Sequence, residues 1–214
     1  MNTLSSEYAK LYTTALLLAL FTVFYNLAEG LLAVWFGFED ETLTLFGFGI
    51  DSFIEMLSGI GIMHMIWRIR NAPEVHPDNF ERTALKITGS AFYLLVAGLI
   101  AGSILVVATN QKPQSTFWGI IISALSIAVM LLLMRAKQKV GRKLNSEAML
   151  ADANCTRVCI YMSVVLLAAS GMYELTSLPY LDAAGSLGLA WFSFKEGREC
   201  FAKASSGRYD CCRN

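Results

Sequence analysis

Apolar positions in this chain gather into six long runs, at about 11–37, 43–67, 83–108, 115–135, 147–170 and 179–199, separated by short polar connections. Each run is near or above the ~20 residues that a helix needs to cross ~30 Å of hydrocarbon at ~1.5 Å per residue. The runs are continuous rather than alternating in polarity, which predicts helices and argues against a barrel. The pattern therefore predicts an all-α membrane protein of six transmembrane helices with no soluble domain. Residues 1–203 would form the membrane domain and 204–214 a short cytoplasmic tail.

Composition agrees. Of 214 residues 55% are hydrophobic and only 16% charged, and mean hydropathy is +0.50, too apolar for a soluble domain of this size with an ordinary polar surface. Lys+Arg and Asp+Glu are equal at 17 each, so net charge names no partner, and no basic cluster with interleaved aromatics points to nucleic acid. The lead from Met1 to Lys10 precedes an apolar run too long for a signal-peptide core and without a small-residue cleavage site, so the first span is expected to be retained.

Placement of the basic residues sets orientation. With the N-terminus inside, the inner side receives Lys10, Arg68, Arg70, Arg82, Lys86, then Arg135, Lys137, Lys139, Arg142 and Lys143, and finally Lys195 through Arg213, against Lys112 alone outside. Glu39-Asp40-Glu41 makes the first outer loop acidic. Both termini are expected in the cytoplasm, with the protein a multi-pass component of the cell (inner) membrane.

Two stretches carry chemistry. In Gly49-Ile50-Asp51-Ser52-Phe53-Ile54-Glu55 two carboxylates four residues apart share one helix face at membrane depth, where an ionisable group is costly and needs a cation. In Asp152-Ala153-Asn154-Cys155-Thr156-Arg157-Val158-Cys159 two thiols repeat that spacing on the fifth span. Two hard carboxylates and two soft thiols can surround one divalent ion tetrahedrally. Counting from the span ends, Asp51 and Glu55 lie roughly 12 and 18 Å from the outer side, Cys155 and Cys159 roughly 12 and 18 Å from the inner side. Glu55 would then be level with Cys155, and Asp51 with Cys159, near the midplane. Asp152 shares the cysteine face as a weaker candidate ligand. Arg157 points away from that face and needs its own partner, for which Glu29 and Asp182 are the buried candidates; Asn26, one turn before Glu29, would line the same outward vestibule. Cys200, Cys211 and Cys212 fall in the polar tail and form no disulfide framework.

These residues resemble the transmembrane domain of the cation diffusion facilitator (cation efflux) family. Asp51 and Glu55 look like its second-span pair, and Ser146-Glu147-Ala148 through Ala151-Asp152-Ala153 like the lead-in to its fifth-span pair. The resemblance implies exchange of Zn²⁺ and similar divalent ions for protons, by homodimers. Three departures stand out: Cys155 and Cys159 occupy positions where family members commonly have His and Asp, Glu55 replaces an Asp, and where the family usually continues into a soluble cytoplasmic domain this sequence stops about 15 residues after its last expected span. A dimer would have to form through the membrane helices.

The expected function is secondary transport, export of a divalent transition metal, Zn²⁺ or a softer ion such as Cd²⁺, in exchange for protons. The main alternative is a membrane metal-binding or sensor protein that holds the ion without turnover. A thiol oxidoreductase using Cys155 and Cys159 is disfavoured, because cysteines four apart on a regular helix are poorly placed for a disulfide and no cofactor motif is present; no enzymatic activity is expected.

Overall fold

The computed structural model describes residues 2–40, 42–71, 79–109, 112–144, 147–178 and 180–206, without the side chains of 2–9, 58, 61–62, 65–71, 79–85, 147–148, 151–152, 154–155, 203 and 206. Six helices follow one another: α1 (Asn2–Glu39), α2 (Leu43–Asn71), α3 (Asn79–Thr109), α4 (Phe117–Leu144), α5 (Glu147–Thr176) and α6 (Tyr180–Ser206). The helices outrun the apolar runs because hydropathy falls where the chain turns polar, whereas backbone hydrogen bonding continues for one or two turns more.

Polarity is inverted relative to a soluble domain. Large apolar side chains such as Leu17, Phe21, Trp35, Phe38, Leu94, Ile104 and Trp191 are exposed, while Asn26, Glu29, Asp51, Ser52, Ser126, Lys137 and Ser163 are buried. Only a hydrocarbon surround makes both placements favourable, since apolar surface then loses nothing outside and polar groups find partners only within. Among the described residues, stretches of α1, α3, α4 and α5 are each long and apolar enough to cross a membrane. The chain is an all-α integral membrane protein.

Packing runs chiefly between α1 and α2, α3 and α6, and α4 and α5, and α2 also touches α3, α5 and α6. That makes α2 the hub. Its approach to α1 depends on missing side chains: a Cβ on Gly49 would stand 2.7 Å from the Val34 backbone nitrogen, and one on Gly37 would stand 2.5 Å from that of Phe46. Such contact between backbones is how helices associate in lipid, which offers no hydrophobic drive between them.

Polar contacts staple the end at which α2 and α6 begin. Asp182, in the first turn of α6, accepts hydrogen bonds from the backbone N–H groups of Leu43 at 2.9 Å and Thr44 at 3.0 Å, and the Thr44 hydroxyl donates back to its carbonyl. One carboxylate thus satisfies two of the orphan donors that every helix start leaves open, and sits at the positive ends of two helices. Glu174 of α5 does the same for the backbone N–H and hydroxyl of Thr116, just ahead of α4. Asp182→Ala is expected to cost about 1–3 kcal/mol, because one buried and one part-buried donor lose their acceptor. Asp182→Asn, which keeps one acceptor oxygen, should cost less; thermal unfolding in detergent measures both.

Candidate metal centre

The α2 pair enters the interior as its spacing predicts. Asp51 is 2% exposed, and Glu55, one turn further inward, is half-buried. Across from them, the Cys159 thiol of α5 donates a hydrogen bond to the Glu55 carboxylate. Cys155 and Asp152 have side chains outside the described residues. The pairing of Cys159 with Glu55 corrects the level assigned from span ends, which set Cys159 against Asp51. Depth was counted from Leu43 and Glu147, where α2 and α5 do begin, but with those two ends set ~30 Å apart. Helices of 29 and 30 residues are longer than that at ~1.5 Å per residue, which moves Cys159 from the level of Asp51 to that of Glu55.

A shell of polar groups surrounds this meeting point. Glu29 of α1 accepts hydrogen bonds from Tyr25 at 3.0 Å and Ser52 at 3.1 Å, and is also bonded to Ser126 of α4. Ser163 of α5 donates to Ser126 at 3.0 Å, so the network links four helices, α1, α2, α4 and α5, at one level. Asp182 caps α2. Both acids that the sequence offered to Arg157 therefore have other roles, and Arg157 itself is exposed.

Two further charges are near. Glu196 of α6 and Glu29 lie within electrostatic range of both Asp51 and Glu55. Lys137 of α4, which counts with the inner basic residues in the sequence, is 0% exposed; its ammonium donates to the Thr156 hydroxyl at 3.0 Å and its charge reaches Cys159. Buried Oδ1 atoms of Asp51 and Asn26 have no hydrogen-bond partner. An acceptor buried in that way costs about 1–3 kcal/mol, a cost that a bound cation removes. Among the described residues, no three His, Cys, Asp or Glu side chains make a ready-made metal cage.

Sequence reasoning missed Glu196. An acid inside the last apolar run met the same criterion that singled out Asp51, but Lys195, Arg198 and Glu199 around it make that turn look like a membrane interface. Cys200 is also corrected: it is a buried thiol within α6, outside any disulfide, because the helix continues to Ser206 and packs Phe201 and Cys200 against Gly89 of α3. Cys211 and Cys212 lie outside the described residues. Where α1 ends and α2 begins, partial burial and then the charges of Glu39 and Glu174 push the Asp40 carboxyl above the ordinary range.

An α-helical membrane protein with carboxylates and a thiol gathered in its interior is built to handle cations. Residues 15–207 match the model of the cation efflux transmembrane domain, and the chain belongs to that family of cation transporters. It is also similar to Transmembrane protein 163 of Xenopus laevis, 29% identical over 145 residues, which cover 67% of this chain and 50% of that protein. The chain thus spans about half the length of that curated relative.

Proposed function

We propose that this protein exports a divalent transition metal, Zn²⁺ or a softer ion such as Cd²⁺, in exchange for protons, through a site between α2 and α5. Asp51, Glu55, Cys155 and Cys159 are its ligands, with Asp152 a weaker participant on the inner side. The observation that carries the reading is the hydrogen bond from the Cys159 thiol of α5 to the half-buried Glu55 carboxylate of α2, one turn from the buried Asp51, which brings hard and soft donors together. All six helices are taken to span the bilayer, with both termini in the cytoplasm, residues 1–203 as the transport domain and a homodimer formed through membrane helices.

The mechanism follows from the donors. A carboxylic acid or thiol must lose its proton to bind a metal, so protons and metal compete for one set of atoms. Competition at a site that opens alternately to the two faces is sufficient for antiport, and midplane sites between helix groups suit such rocking. Zn²⁺ flux in proteoliposomes tests the reading. Protein that binds Zn²⁺ but moves none would leave the membrane metal-binding or sensor alternative in its place.

Ion preference should lie with the thiols. Replacing both Cys155 and Cys159 by Ser is expected to weaken Cd²⁺ binding by about tenfold or more and Zn²⁺ binding less, since thiolates favour soft ions and hydroxyls do not. Competitive binding by purified protein measures this, and unchanged Cd²⁺ affinity would make the cysteines packing residues.

A further inference from the structure

The geometry points to Asn26 of α1 as an additional metal ligand, a neutral oxygen donor that completes from a third helix the site formed by α2 and α5. The inference rests on the functional reading above.

The register between α1 and α2 sets its height. Gly37 opposes Phe46, Ala33 opposes Gly49, Gly30 opposes Phe53, and Val23 opposes Gly59, while Glu29 is hydrogen-bonded to Ser52. The two helices therefore run antiparallel, and each step inward along α1 meets a step inward along α2. Asn26, midway between Glu29 and Val23, falls level with Glu55 and Met56. It also belongs to the stripe of α1 that faces α2, in step with Val23, Gly30, Ala33 and Gly37 at helical spacing.

A second line of contacts gives the same level independently. Glu29 and Ser163 are joined through Ser126. Short connections make α1 and α5 run in the same direction. One turn inward from Glu29 is Asn26, and one turn inward from Ser163 is Cys159, whose thiol meets Glu55. Asn26, Glu55 and Cys159 thus share one layer of the interior.

The ligand signal is the amide itself. Asn26 is 1% exposed, and its buried Oδ1 has no hydrogen-bond partner, as is also true of Asp51 Oδ1 one turn outward on α2. Buried acceptors are normally satisfied. One orphaned oxygen in the layer of the Glu55 carboxylate and the Cys159 thiol, and another one turn outward, are acceptors that a divalent cation held there would satisfy. A neutral amide oxygen is a hard donor that adds to coordination without adding charge, so it favours Zn²⁺ over Cd²⁺ and offsets the softness of the thiols.

The test measures Zn²⁺ and Cd²⁺ binding, and melting temperature with and without Zn²⁺, for wild type, Asp51→Asn, Asn26→Leu and Asn26→Asp. Expected for Asn26→Leu is a loss of Zn²⁺ affinity of about tenfold, a smaller loss for Cd²⁺, and a metal-free melting temperature no lower than wild type, because an unsatisfied amide has been removed. Asn26→Asp, which keeps an oxygen there, should retain Zn²⁺ binding. Wild-type Zn²⁺ affinity in Asn26→Leu would overturn the assignment, as would an Asn26→Leu protein that is unfolded or melts lower without metal, the mark of a structural residue. Absence of Zn²⁺ binding in wild type, or its persistence in Asp51→Asn, would instead sink the functional reading itself.

Discussion

Asp51→Asn is expected to abolish stoichiometric metal binding and transport while leaving the protein folded and inserted. The substitution keeps the shape and one oxygen but removes the charge. Asp51 is almost wholly buried, has an unpartnered oxygen, and lies within range of Glu29, Glu55 and Glu196. In such an interior each negative charge repels the others and is compensated only by a cation. Breaking a buried charge pair costs about 3–5 kcal/mol, which as lost metal affinity is roughly two to four orders of magnitude. Stability should not fall in parallel, because the asparagine also relieves repulsion among the acids. Metal content after purification, read beside the melting temperature, separates the two effects. Wild-type metal content in Asp51→Asn protein would remove Asp51 from the site.

The candidate site was legible in the sequence to the extent that one rule reached: an ionisable residue inside an apolar run has a reason to be there. That rule found Asp51 and Glu55 and set them on one helix face, and the spacing of Cys159 suggested its role. Relations between helices were not legible. Periodicity says which residues share a face but not which neighbour that face meets, so Asp182 and Glu29 were assigned to Arg157 rather than to the α2 N-terminus and to Ser52 and Tyr25. Hydropathy locates where a span turns polar, not where its helix ends, which put the buried Cys200 in the tail. Counting depth across a fixed ~30 Å of hydrocarbon, when α2 and α5 are longer than that, displaced Cys159 by a turn. Lys137 shows a third limit. Counting basic residues by side treats every lysine near a span end as solvated, and nothing in the local text distinguishes one that is turned inward onto Thr156.

In proteoliposomes with equal Zn²⁺ on both sides and membrane potential clamped at zero, an imposed pH gradient should drive Zn²⁺ into the acidic compartment. On the acidic face the site gains protons and releases its metal; on the alkaline face it loses protons and loads metal, since carboxylate and thiol donors coordinate only when deprotonated. Protons thus run from the acidic to the alkaline side and the metal runs the other way. Falling metal affinity at low pH would not by itself establish exchange, because a static binder with the same donors behaves alike. Accumulation against an initially absent metal gradient does, since only coupled turnover converts one gradient into the other. Asp51→Asn and Glu55→Gln should each abolish it, the first by removing the charge of an almost wholly buried carboxylate and the second by removing the charge of the carboxylate that accepts the Cys159 thiol. A channel would ignore the pH gradient at zero potential, and a sensor would move no ions. Folded, metal-loaded wild-type protein that builds no Zn²⁺ gradient under these conditions would defeat the antiport reading and leave a metal-binding membrane protein of the same fold.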